Sequence, residues 1–183
     1  MAPSGQLTSP AVEELLRGGT LAGSWTLDPA RSEVRLKTRH TWGLLPLTAV
    51  FSQVSGSGTV TADGEASGVI TVGAASLNTK NKQRDQHLRS AAFFDVANHP
   101  DLTFAVDSVH PAAGGAQIDG RLTVRDQTRP ASFDATVSAD GDEVTLDGAL
   151  QVNRGDFGLT WNFTGIASMH NTIVIHAVFT RAA

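Results

Sequence analysis

From Trp25 onward, apolar and polar residues alternate along most of this chain, the period of a strand with one buried face. The run Val34-Arg35-Leu36-Lys37-Thr38-Arg39-His40 sets the pattern: Glu33, Arg35, Lys37 and Arg39 face water, while Val34, Leu36 and, by the same parity, His40 face inward. Further strands are predicted at 47–54, 58–61, 67–73, 102–109, 117–124, 131–137, 144–152 and 172–180, with turns at Asp63-Gly64, Gly114-Gly115, Asp126-Gln127 and Asp140-Gly141. Such dipeptides tolerate positive φ and close hairpins. Parity assigns Leu102, Phe104 and Val106, then Ile118, Leu122 and Val124, then Ala131, Phe133, Ala135 and Val137 to the inner face. The last strand is apolar on both parities, which predicts cover on both faces from a helix or a second subunit. Many short strands without crossover helices mean an all-β barrel or sandwich. Periodicity does not choose between the two.

Three stretches break the pattern. Residues 1–20 form an arm with one short helix, in which Ser9 caps, Pro10 occupies the first helical position and Glu13 and Glu14 lie in the first turn. Its Val12, Leu15 and Leu16 need an apolar surface such as a barrel end, because so short a helix is marginal alone. Residues 21–183 form the main domain. At Trp42-Gly43-Leu44-Leu45-Pro46 the alternation stops, Pro46 is barred from a central ladder, and the apolar side chains are expected to pack over a barrel mouth. The third break, Ser76–Pro100, has the chemistry: Lys80, Lys82, Arg84 and Arg89 surround Asp85 and His87, and Phe93 and Phe94 follow. A connection this long in a compact domain is usually a binding loop or lid.

Composition removes several function classes. A net charge of −4 argues against a nucleic-acid partner. The absence of cysteine excludes disulfides, thiolate chemistry and sulfur-ligated zinc. The six histidines are scattered without ligand spacing, so no metal is expected. No signal-peptide pattern and no membrane-length apolar run occur, so a cytoplasmic protein without a membrane span is expected.

The short motifs offer little catalysis. Gly56-Ser57-Gly58 reads as a turn, Arg154-Gly155-Asp156 as a chance tripeptide, and no Gly-x-Ser-x-Gly elbow is present. Asn81, Arg84 and Asp85 are read as pinning the long connection. Asp85 with His87 could serve as acid and base on a bound substrate, and the cations could hold an anionic head group at a cavity mouth.

Several blocks, in one collinear order, resemble the YceI-like family of lipid-binding proteins. They are Gly23-Ser24-Trp25-Thr26-Leu27-Asp28-Pro29 with Ser32 and His40; Asn78-Thr79, Asn81, Arg84-Asp85, His87-Leu88, Phe93-Phe94-Asp95-Val96 and Pro100; Gly120-Arg121-Leu122-Thr123-Val124 with Thr128-Arg129-Pro130; and Arg154-Gly155-Asp156-Phe157-Gly158. The resemblance covers residues 23–180 and implies an eight-stranded antiparallel lipocalin-like barrel around an elongated apolar cavity. It implies a carrier of a long apolar lipid, a polyisoprenoid or isoprenoid quinone, with that lipid as ligand and no other cofactor. His40, Trp42, Phe51, Phe93, Phe94, Phe104, Phe157 and Trp161 are the expected cavity residues. Arg84, Asp85 and His87 are expected to hold the connection and to face a head group. The alternative is an isomerase, cyclase or hydrolase using the same pocket, with His40 or the Asp85/His87 pair as acid and base. The doubly apolar last strand is compatible with a homodimer.

Overall fold

The computed structural model describes residues 5–40, 43–162, 165 and 167–183. The chain runs α1 (Ser9–Arg17), β1 (Gly23–Leu27), β2 (Glu33–His40), β3 (Leu45–Phe51), β4 (Val54–Val60), β5 (Ala66–Gly73), β6 (Leu77–Asn78), α2 (Lys82–Arg89), β7 (Asp101–Ala112), β8 (Gly115–Val124), β9 (Gln127–Asp140), β10 (Glu143–Asn153) and β11 (His170–Arg181). Among the described residues, no helix is long and apolar enough to cross a membrane.

Hydrogen bonding closes the eight strands β1-β4-β5-β7-β8-β9-β10-β11 into a ring, because β1 pairs with both β4 and β11. All these pairings are antiparallel. The choice that periodicity left open is thereby made: the protein is a barrel. Two strands are broken along the way. At its Phe179–Arg181 end β11 pairs with β1, and farther up, at Thr172–His176, it pairs with β2. The corner between β1 and β2 is held by Asp28, whose N–H donates to the Val178 carbonyl while its carboxylate accepts from Ala30 N–H and Arg31. Val178 is buried beside this corner, its N–H donating to Ser32 Oγ. That corner covers the second apolar parity of β11 at Val178.

The break between β3 and β4 at Ser52-Gln53 replaces the single strand expected over 47–54. Gly56-Ser57-Gly58, expected to turn, lies within β4 opposite Ile70-Val69-Gly68. A Cβ on Gly56 would fall 2.8 Å from the Val69 carbonyl and 3.3 Å from Leu27 Cβ, so glycine here admits the close approach of both neighbouring strands. Pro46 sits in β3 opposite Arg39, on a stretch whose far side has no strand among the described residues, which is where a ladder tolerates proline. Leu44 and Leu45 do not pack over the mouth as expected: they are 76% and 58% exposed. Leu45 shares the parity of the inward Leu47, but the hairpin carries it past the rim.

The N-terminal helix rests on the barrel end, as its apolar face requires. Its N-cap is Thr8 rather than Ser9, and Glu13 lies beyond the first turn, where it pairs with Arg17 at 2.9 Å. Val12 and Leu16 are buried with Leu21, Trp25, Ala116 and Val137. Arg181 fastens the exit from α1 by donating to the Thr20 and Ala22 carbonyls while its guanidinium lies 4.5 Å from the Trp25 ring centroid. The tip of the β4–β5 hairpin closes in too: Gly64 has φ +86°, and a Cβ there would lie 2.8 Å from the Leu16 carbonyl.

Candidate ligand-binding site

The connection between β5 and β7 returns to its starting point, since Gly73 pairs with Asp101 and Ala74 N–H donates to the Pro100 carbonyl. Between those points it is stitched to β3 through Val50–Asn78 and Phe51–Leu77. It therefore supplies the barrel wall that β3 lacks. Asn81 caps α2 by accepting from Arg84 N–H at 3.0 Å, the bond that an N-cap amide makes to an orphan donor. Past Ser90 the backbone turns sharply, with Asp95 at φ +50°. Leu88 of α2 and, in this turn, Phe93 and Phe94 line the interior.

This wall, β2, β3 and the facing strands enclose a cavity of about 450 Å³, within the ~300–1,000 Å³ typical of small-molecule sites. Val34, Leu36, Thr38 and His40 line it from β2, as parity requires, with Leu47, Ala49 and Phe51 from β3. Phe93 and Phe94 meet edge to face at 4.9 Å between centroids, and Phe94 meets Phe51 at 6.3 Å. Phe157 lines another wall, and Phe104 lies at depth, edge to face with Phe133 at 5.5 Å.

The polar groups gather at one end. His40, Arg84, His87, Arg154 and Asn171 join the lining there, with Trp161, which is 47% exposed and whose ring centroid lies 4.0 Å from that of His87. Arg154 holds the end together. It is 6% exposed and donates from Nε to the Ser168 carbonyl and from Nη1 to the Leu159 and Trp161 carbonyls, while Nη2 has no partner among the described residues. Burial lowers its pKa from the usual guanidinium value. The guanidinium carbon stands 5.7 Å from the Phe93 centroid. Nε2 of both His40 and His87 is buried without a hydrogen-bond partner among the described residues. Burial holds the His40 pKa below its ordinary value, and the charges of Arg84 and Arg154 push it the same way. The cavity thus ends in a positively charged, donor-rich patch with vacant hydrogen-bonding capacity. Unsatisfied buried polar atoms are rare in folded proteins and call for an explanation.

Most of the residues singled out in the sequence meet at this cavity. Asp85 does not: it is buried behind the wall, where its Oδ1 accepts from Thr79 N–H at 3.0 Å and Thr79 Oγ1 at 2.6 Å. Arg84 completes the knot by donating to Thr79 Oγ1 and to the Thr79 carbonyl. Asp85 and His87 therefore do not form an acid–base pair facing one substrate. Of the four cations, Arg84 reaches the cavity, Arg89 ties α2 to the Ala75 and Leu77 carbonyls, and Lys80 and Lys82 are exposed. Trp42 lies outside the described residues. Arg154, dismissed within a chance tripeptide, is the residue that sequence reading missed. Its partners are backbone carbonyls, which carry no side-chain signature.

Residues 25–180 match the model of the YceI-like domain. The chain belongs to the YceI-like family. Among relatives, it is similar to Protein YceI of Salmonella newport, 36% identical over 112 residues, and to a UPF0312 protein of Enterobacter sp., 31% identical over 112 residues. Each alignment covers 58% of this chain, and the chain spans 58% of the length of each relative. Among solved structures, the fold resembles Burkholderia cenocepacia BcnA, with TM-score 0.75, 24% identity and coverage of 83% of this chain and 98% of that one. It also resembles a polyisoprenoid-binding domain from Saccharophagus degradans, with TM-score 0.69, 16% identity and coverage of 86% and 98%. At these identities the likeness is one of fold: this YceI-like chain shares their lipocalin-like barrel.

Proposed function

We propose that this protein binds and carries a long apolar lipid, of the polyisoprenoid or isoprenoid quinone type, with its tail in the barrel and its head at the charged end. The observation that carries this reading is the pairing of a deep apolar cavity with Arg154, a buried guanidinium whose hydrogen bonds go to carbonyls and whose Nη2 has no partner among the described residues. Burying a cation away from water costs free energy unless something compensates it. An oxygen-rich head group supplies the missing acceptor, and Arg84 and the two imidazoles stand beside it. Each buried methylene of the tail adds about 0.8 kcal/mol, so a few isoprene units offset the ordering cost of binding. Family membership and the resemblance to a polyisoprenoid-binding domain support the reading.

Native mass spectrometry of freshly purified protein, followed by solvent extraction, tests it. The expected result is one retained lipid with an isoprenoid tail and a polar head. A protein that arrives empty and takes up neither prenyl alcohols nor quinones in titration would sink the proposal.

A further inference from the structure

Beneath the large cavity lies a second one of about 130 Å³. Val12 and Leu16 of α1, with Leu21 and Trp25, close its far side, and Val109, Ala116, Ile118 and Val137 are among its walls. Ile70, Phe104 and Ile175 line both cavities, whereas Leu122 and Leu150 line only the upper and Phe133 only the lower. A single layer one side chain thick therefore separates them, and Phe104 is its largest member.

The Phe104 ring is held in place by its neighbours. A Cβ on Gly120 of β8 would come within 2.8 Å of Phe104 Cζ, and a Cβ on Gly148 of β10 within 2.7 Å of the Phe133 ring. Each ring thus lies over a glycine of the adjacent strand, and the pair meets edge to face at 5.5 Å. The two glycines leave the space that lets the rings lie across the bore. The space below them is not an ordinary packing defect, because interiors have few voids larger than a water molecule. An apolar cavity of about 150 Å³ stays dry and accepts benzene, so the lower chamber matches the bulk of one terminal isoprene unit.

We propose that Phe104 is the floor that sets the longest tail this protein accepts, and that the chamber beneath it is a latent site for one further isoprene unit. This rests on the reading of the upper cavity as a lipid site. A tail entering from the charged end stops on the Phe104 ring, and any additional units stay outside in water. With the ring removed, the two chambers join into one bore ending at α1.

The test is the affinity of the full-length protein for all-trans prenyl alcohols of increasing length, from geraniol through farnesol and geranylgeraniol to solanesol. In the wild type, affinity should climb with length and then level off. In Phe104→Ala, the climb should continue for one more isoprene unit, gaining about tenfold or more at that length, the worth of burying even two of that unit's five carbons. Phe104→Leu, a milder change that protects the fold, should shift the plateau in the same direction by less. Adding Val109→Phe to Phe104→Ala should refill the lower chamber and return the plateau to its wild-type place. An unchanged plateau in both folded Phe104 variants would overturn the floor, as would a wild type whose affinity never levels off. Folded wild type that binds no prenyl alcohol of any length would overturn the lipid reading itself, and the floor with it.

Discussion

The two ends of the barrel share β7, β8, β10 and β11 and the same inward alternation, yet they have become different things. At the α1 end, β1 and β4 close the ring and α1 caps it, burying Val12, Leu16, Trp25 and Val137 around a chamber of only about 130 Å³. At the other end, β2 and β3 splay away from the ring and a connection of irregular backbone completes the wall, leaving about 450 Å³ open. At both ends an arginine donates to backbone carbonyls, Arg181 beside α1 and Arg154 at the other end, but only Arg154 lines a cavity. The lesson is that a container in a β-barrel comes from breaking strands at one end, not from a different side-chain alphabet.

The largest effect that would sharpen this contrast is expected from Arg154→Ala. Three bonds from a buried cation to carbonyls are lost, and with hydrogen bonds to charged groups worth about 1.5–3 kcal/mol each, a loss of about 3 kcal/mol or more is expected in chemical denaturation. Ligand affinity should fall with it. A loss below about 1 kcal/mol would mean that the guanidinium does not hold the charged end.

Leu16→Ala attacks the opposite end. Truncating this buried leucine should cost about 2–3 kcal/mol, the lower part of the range for such changes, because α1 can settle toward the space beneath it. Affinity for a lipid in the upper cavity should stay unchanged. If it fell as far as in Arg154→Ala, the two ends would be one cooperative site and the contrast would break.

The smallest effect is the pH dependence contributed by His40. Its folded pKa lies below the unfolded value because of burial first, then the positive charges of Arg84 and Arg154. As pH falls below about 6.5 the unfolded chain takes up this proton before the folded one does. Stability is therefore retained above that pH, declines as pH falls through the folded pKa, and levels off below it. His40→Gln should flatten that part of the wild-type profile in urea midpoints measured between neutral and mildly acidic pH. A wild type that gains stability relative to the variant on acidification would contradict the assignment.

Much of the fold was legible because period-two alternation is written locally. The parity that turned Val34, Leu36 and His40 inward holds, as do the inner sets of β7, β8 and β9. Failures came where two distant stretches meet. Gly56-Ser57-Gly58 looked like a turn because β1, whose Leu27 needs the space a side chain on Gly56 would fill, is about thirty residues away. Leu44 and Leu45 looked buried because their hydrophobicity is visible and the position of the rim is not. The reading of Asp85 as a pin of the long connection holds, since its carboxylate accepts from Thr79, and that leaves the alternative acid–base pairing with His87 without its carboxylate.

By itself, then, the sequence determined the strand class, the inward faces, the helix that needs a surface, and the density of donors in the Ser76–Pro100 connection. These follow from nearest-neighbour chemistry: propensity, alternation and turn residues. Only the tertiary structure decided that the ring closes, that Arg154 spends its donors on carbonyls of Leu159, Trp161 and Ser168, and that Phe104 divides the bore in two. Backbone carbonyls are the same at every residue, and a void belongs to all the side chains around it. Neither is a property that any one stretch of sequence can display.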